Sequence, residues 1–200
     1  MRLALFLLIL LFSTPPALAG KTILIMGDSL SAGYGMGLEQ AWPSLLAKRL
    51  SEKQLDYNVA NLSISGETTA GGRTRLPQAL VQHKPAIIII ALGANDGLRG
   101  LPLSQMRDNL NAMVDAARRN GSKVLLTGIR LPPNYGPYAT EFDNSFSEIA
   151  RRKKAALLNF LLEPIAAQAQ FFQADNLHPT AEAQPLILDH LWPAILPLLK

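Results

Sequence analysis

Residues 86–92, AIIIIAL, form an apolar run with no polar alternation. A strand with one wet face alternates apolar and polar residues, so a run without alternation has to be covered on both sides. Helices packed on both faces of a parallel sheet give that cover. The run therefore predicts the middle of a parallel α/β sheet. Its flanks agree: Pro85 closes the segment before it, and Gly93-Ala94-Asn95-Asp96-Gly97 breaks it with turn-forming residues.

The rest of the chain alternates in the same way. Strands are predicted at 22–26, 57–64 and 123–129, with a short fifth at 170–173. Helical spacing of apolar residues covers 40–50, 73–82, 104–120, 144–159 and 181–196. Pro43 suits a first turn, Asn120-Gly121 is a stop, Thr180 is a candidate cap, and Pro193 should kink or end the last helix. Residues 160–169, broken by Pro164, stay unassigned. Four or five strands alternating with helices predict a three-layer α/β/α sandwich. Two hundred residues without a repeat or low-complexity tract predict one domain.

Residues 1–19 are set apart. Arg2 precedes ten apolar residues, 3–12; Ser13-Thr14-Pro15-Pro16 breaks the run, and Ala17-Leu18-Ala19 is a small-x-small pattern. Ten residues are too few for a bilayer, which needs about 20. The expectation is a secretory signal at 1–19, cleaved to leave a single domain at 20–200. An exported protein then belongs in a periplasm or the medium, with no stable membrane insertion. The chain has no cysteine, which excludes disulfides, a thiolate metal site and a thiol nucleophile. Its net charge of +4 comes from dispersed basic residues, apart from Arg118-Arg119 and Arg151-Arg152-Lys153-Lys154 on predicted helices. With 6% aromatic residues there is no basic stripe interleaved with aromatics, so a nucleic-acid partner is not expected. No histidine–carboxylate spacing reads as a metal site, and Gly33, Gly35 and Gly37 lack the dinucleotide-binding pattern, so neither metal nor cofactor is expected.

The polar residues with chemical potential lie at strand ends, which converge on one edge of such a sheet. Gly27 allows a sharp turn by tolerating positive φ, and Ser29 follows it. Ser29 is a candidate nucleophile or the polar end of a plain turn. A serine hydroxyl attacks only when a base takes its proton, and a histidine steadied by a carboxylate serves near neutral pH. Asp175 and His178 stand three apart in one loop. His178 is a base or a loop histidine beside Pro179, His83 ends a helix, and His190 reads as a satisfied core or surface histidine. A developing oxyanion needs donors already in place. The backbone N–H groups of Ser29 and Gly66 and the amide of Asn95 are candidates, although Asn95-Asp96-Gly97 also reads as a turn. Asp28 and Asp96 are read as turn organisers.

Four blocks now stand in order: Gly27-Asp28-Ser29-Leu30-Ser31, Ser65-Gly66-Glu67-Thr68, Gly93-Ala94-Asn95-Asp96 and Asp175-Asn176-Leu177-His178-Pro179. They span the length after residue 19, and the chain resembles the SGNH (GDSL) hydrolases. Segments 93–100 (GANDGLRG), 130–136 (RLPPNYG) and 178–185 (HPTAEAQP) resemble the small bacterial thioesterase, lysophospholipase and arylesterase members. The resemblance implies a flavodoxin-like sheet, nucleophile Ser29, acid and base Asp175 and His178, and oxyanion donors Ser29, Gly66 and Asn95. It implies a serine esterase that hydrolyses fatty-acid esters and thioesters through an acyl-enzyme, acting on small acyl substrates as a monomer. The nucleophile elbow of other α/β-hydrolases is absent, since position 31 is serine.

An acyl chain needs apolar lining. The loops after the third and fourth strands offer Leu98, Leu101 and Leu103, then Leu131, Pro132 and Tyr135, either as lining or as loop anchors. Export favours esters and lysophospholipids over acyl-CoA, a cytosolic metabolite. A carbohydrate deacetylase of the same family and a non-catalytic acyl-binding protein are the competing readings.

Overall fold

The structure is a computed structural model, and it describes residues 20–200. The expected signal at 1–19 lies outside the described residues. Five parallel strands make one sheet: β1 (Lys21–Gly27), β2 (Tyr57–Asn61), β3 (Ile87–Ala91), β4 (Lys123–Thr127) and β5 (Ala156–Leu158), in the order β2-β1-β3-β4-β5. This is the flavodoxin-like order, with its reversal between β1 and β3. β3 is central, and Ile87, Ile88, Ile89 and Ile90 are fully buried, as their unbroken apolar run requires.

Seven helices are present among the described residues: α1 (Ser29–Ala32), α2 (Trp42–Glu52), α3 (Thr69–His83), α4 (Ala94–Leu98), α5 (Leu103–Arg119), α6 (Pro137–Lys153) and α7 (Gln184–Ile195). α3, α5 and α6 pack side by side, and α2 packs on α7, so two helical layers enclose the sheet. α5 shows the cause plainly. Met106, Leu110, Met113, Val114 and Ala117 recur at helical spacing, and all are buried. Trp42 is fully buried, and its indole N–H donates to the Leu30 carbonyl at 3.2 Å, so the helix after the first loop braces the turn that carries Ser29. The two basic clusters sit at the ends of α5 and α6. Arg118, Arg119, Arg151, Arg152 and Lys154 are exposed there, and Lys153 pairs with Asp115 at 2.7 Å.

Several local expectations are corrected. The fifth strand is Ala156–Leu158, not 170–173. α6 stops at Lys153 because Lys154 takes a left-handed conformation (φ 50°), and after Ala155 the residues Ala156–Leu158 pair with β4. Residues 169–171 instead form a 3-10 turn, and Phe172 makes a single antiparallel bridge to Pro179. β2 ends at Asn61, and Thr180 makes no side-chain cap. Gly71 and Gly72 lie inside α3 rather than in the loop before it. A Cβ at Gly72 would strike Leu92, so this glycine lets the helix approach the sheet. Gly27 has no positive φ. Its lack of a side chain serves close packing, since a Cβ there would meet Ser31 and Ser63 at 2.8 Å. Among the described residues no helix is long and apolar enough to cross a membrane.

Candidate active site

β1 delivers the chain to the carboxyl edge of the sheet, and Asp28 turns it. The buried Asp28 side chain caps α1 by accepting the Leu30 N–H at 3.0 Å. Ser29 is thereby the first residue of a single helical turn, half-buried at the sheet edge.

His178 arrives from the far end of the sequence. Its loop is closed by the Phe172–Pro179 bridge and by the Gln173 N–H donating to the His178 carbonyl at 2.8 Å. Asp175 shapes the tip. One carboxylate oxygen accepts the backbone N–H groups of Leu177 (2.9 Å) and His178 (3.0 Å), while Asn176 adopts φ 56°. The other oxygen bonds His178 Nδ1 at 2.6 Å, and His178 Nε2 lies 2.9 Å from Ser29 Oγ. Carboxylate, imidazole and hydroxyl thus form one continuous chain. The His178 backbone N–H, then its ring, then the Leu177 N–H hold the Asp175 carboxyl down to about 2. Asp28 moves the other way: burial raises it to about 6, against the lowering pull of the Leu30 N–H.

The other two blocks meet here as well. Gly66 sits in the β2–α3 loop with φ 79°, and Asn95 lies on α4. The Asn95 amide donates to the Glu67 carbonyl at 3.0 Å and stands 3.5 Å from Asp28 Oδ2. Ser29, Gly66, Asn95 and His178 line one cavity of about 180 Å³, together with Leu30, Tyr34, Ser65, Ala94, Leu98 and Leu177.

A second cavity of about 330 Å³ shares Leu30, Ala94, Leu98 and Leu177 with the first and runs toward Phe160, Ala166 and Phe172. Its walls are predominantly apolar. Leu98, Leu131 and Pro132 line it as expected, but Leu101, Leu103 and Tyr135 do not. Leu103 is buried in the core under α5, Tyr135 donates its hydroxyl to the Leu98 carbonyl at 3.1 Å, and Leu101 accepts from the Tyr138 hydroxyl at 2.8 Å. Tyr135 thus braces the lining residue Leu98 from outside the cavity. The sequence reading missed Leu30, Ile129, Phe160, Phe172 and Leu177 as lining. Leu30 adjoins Ser29, Leu177 adjoins His178 and Ile129 precedes the 130–136 segment, which were usable signals; Phe160 and Phe172 arrive from segments whose convergence leaves no local trace. It also missed Tyr34, whose ring lies 4.2 Å from the His178 ring at a 32° tilt. His190, read as satisfied, lies 3.0 Å from the Phe160 carbonyl through Nε2. Among the described residues no group of three histidines or carboxylates could hold a metal ion.

Comparison with known proteins identifies the family. The family model described as "GDSL-like Lipase/Acylhydrolase family" matches residues 25–185. Esterase TesA of Pseudomonas aeruginosa is 48% identical over 182 residues, covering 90% of each chain. Thioesterase 1/protease 1/lysophospholipase L1 of Escherichia coli is 40% identical over 197 residues, covering 98% of this chain and 92% of that one. The crystal structure of the psychrotrophic esterase EstA from Pseudoalteromonas sp., inhibited by monoethylphosphonate, superposes with a TM-score of 0.86 at 43% identity, covering 90% of this chain and 98% of that one. A family model matching most of the chain, a close structural superposition and identities of this size over nearly whole chains have one explanation: the chain belongs to the GDSL-like lipase/acylhydrolase family.

Proposed function

We propose that the protein is a serine esterase and thioesterase that releases fatty acids from carboxylic esters, thioesters and lysophospholipids through an acyl-enzyme. The observation that carries this reading is the Asp175–His178–Ser29 chain, with bonds of 2.6 and 2.9 Å, opening beside a long apolar cavity. Relatives named as esterase, arylesterase and thioesterase support it.

The proposed chemistry follows from the geometry. Ser29 Oγ attacks the substrate carbonyl as its proton passes to His178 Nε2. Asp175 fixes the tautomer through Nδ1 and stabilises the imidazolium. The carbonyl oxygen becomes an oxyanion, received by the N–H groups of Ser29 and Gly66 and the amide of Asn95. The Asn95 amide hydrogens point to the Glu67 carbonyl at 3.0 Å and, at a longer 3.5 Å, to Asp28 Oδ2, so the hydrogen on the longer and weaker contact is the one that turns to the oxyanion. His178 then protonates the leaving alkoxide or thiolate. Water, activated by the same imidazole, cleaves the acyl-serine, and the acid leaves along the cavity lined by Leu30, Leu98, Leu131 and Phe160.

The test is hydrolysis of p-nitrophenyl esters from acetate to palmitate, with Ser29→Ala alongside. Rates that peak beyond acetate and vanish in the variant are expected. Activity confined to acetate would replace this reading with a deacetylase, and an inert wild type would replace it with an acyl-binding protein. We further infer that residues 1–19 are an export signal and that the protein works as a periplasmic monomer. A mass corresponding to a chain starting at Gly20, and a monomer by light scattering, are the expected results.

A further inference from the structure

α4 does more than carry Asn95. Three side chains from α4 and the residue after it grip nearly consecutive residues of the Gly66 loop. Arg99 donates to the Gly66 carbonyl at 3.0 Å, and Asn95 donates to the Glu67 carbonyl at 3.0 Å. Asp96 takes Thr69 with both oxygens: the Thr69 N–H at 2.9 Å and its hydroxyl at 2.6 Å. Asp96 is 2% exposed and Thr69 is fully buried, so water does not compete for these bonds.

The position of this last pair matters. Thr69 opens α3, whose own cap, Thr68, accepts the Gly71 N–H at a long 3.5 Å. The Asp96 carboxylate therefore supplies a second acceptor at the amino end of a 15-residue helix, where negative charge is favoured. The Thr69 hydroxyl also accepts from the Asn109 amide at 3.1 Å, and Asn109 in turn accepts from Arg73 at 3.2 Å. Thr69 is thus held from α4, α5 and, through Asn109, its own helix. Three residues before it stands Gly66; one residue before Asp96 stands Asn95.

We propose that Asp96 and Thr69 are positioning residues that set the separation and angle of the Gly66 N–H and the Asn95 amide, joining the two loops that receive the oxyanion. The inference rests on the proposed roles of Gly66 and Asn95. Neither Asp96 nor Thr69 lines the cavity or touches substrate. Donors preorganised for charge that develops only in the transition state act on kcat, whereas substrate binding in the apolar cavity stays as it was. A loss of positioning therefore separates kcat from KM.

The experiment compares Thr69→Val, Thr69→Ser, Asp96→Asn and Asn95→Ala in the full-length mature protein, with p-nitrophenyl octanoate as substrate and octylboronic acid as a tetrahedral mimic. Thr69→Val removes the hydroxyl at nearly constant volume and is expected to lower kcat at least about tenfold with KM within about twofold. The boronate should weaken by the same factor as kcat/KM. Thr69→Ser keeps the hydroxyl and should retain kcat within about threefold, which a general packing defect would not do. Asp96→Asn keeps an oxygen for the Thr69 N–H but sets its NH2 against the Thr69 hydroxyl, which donates to Asp96 and already accepts from Asn109, and should behave like Thr69→Val. If it does not fold, the valine–serine pair still decides. Thr69→Val with kcat within twofold of wild type, alongside an inactive Asn95→Ala, would overturn the inference alone. An active Asn95→Ala would instead overturn the reading on which it rests.

Discussion

Two aspartates within the same few strand-end loops sit in opposite electrostatic regimes. Asp175 is an exposed carboxylate held at about 2 by the N–H groups wrapped around it, so its stabilising bonds persist above the usual carboxylate range and fade only as pH falls through about 2. Asp28 is buried and raised to about 6, so the folded chain binds its proton more tightly than the unfolded chain does. The sign is opposite: ionising Asp28 costs folding stability progressively from about pH 4 to pH 6, and the cost is constant above that. Two pH units of displacement correspond to about 3 kcal/mol. Asp28→Asn keeps an oxygen for the Leu30 N–H and never ionises. The variant is therefore expected to exceed wild type in unfolding free energy by up to about 3 kcal/mol at pH 7, and to match it near pH 4. Urea titrations at the two pH values check this. An equal gap at both would show that burial of the Asp28 charge is not its source.

At the scale of elements, glycines hold the layers together for two separable reasons. Gly128 follows β4, and a Cβ there would run into the backbone carbonyl of Asn159, just beyond β5. The same residue donates to the Leu158 carbonyl at 2.8 Å and accepts from the Leu161 N–H at 3.0 Å, so the backbone has little freedom to yield. Gly128→Ala is expected to cost about 3 kcal/mol, the scale of an overpacked core. Gly121, between α5 and β4, has open space around it but φ 83°, so Gly121→Ala should cost only the left-handed penalty of about 1 kcal/mol. Thermal midpoints of the two variants, measured side by side, should differ by several degrees. Sequence patterns reached the long elements for equally local reasons. β1, β3, β4, α2 and α5 declare themselves through runs or helical spacing within one window. β5 escaped because three residues after a basic helix make no pattern, and the helix ends on a left-handed lysine rather than a glycine. α1 and α4 escaped because a single turn held by Asp28 or by neighbouring loops has no periodicity to show. The site blocks stood out as polar residues at predicted strand ends. The cavity wall was half legible, since Leu98 and Leu131 sit in those loops while Phe160 and Phe172 come from irregular segments.

On the scale of the whole molecule, the proposed acyl channel draws its walls from distant parts of the chain. The smaller cavity reaches Ser29, the larger adjoins it through Leu30, Ala94, Leu98 and Leu177, and Ala166 and Phe172 are shared between the larger one and a further cavity. Ala166 is exposed and lies outside every helix and strand, so a large side chain there obstructs the channel without disturbing the core. Ala166→Trp is expected to shift the preferred p-nitrophenyl ester toward shorter chains, lowering kcat/KM for palmitate at least about tenfold while hydrolysis of acetate stays within about twofold. An unchanged chain-length profile would place the acyl tail elsewhere. The hydrogen bond between Ser29 and His178 joins residues 149 positions apart. All five strands are complete by Leu158, before Asp175 or His178 has been added to a growing chain. The proposed nucleophile is thus among the first parts of the fold to be synthesised and its proposed base among the last. A chain cut before Asp175 would hold every strand of the sheet yet neither the carboxylate nor the imidazole, so the proposed hydrolysis waits on the last stretch of the sequence.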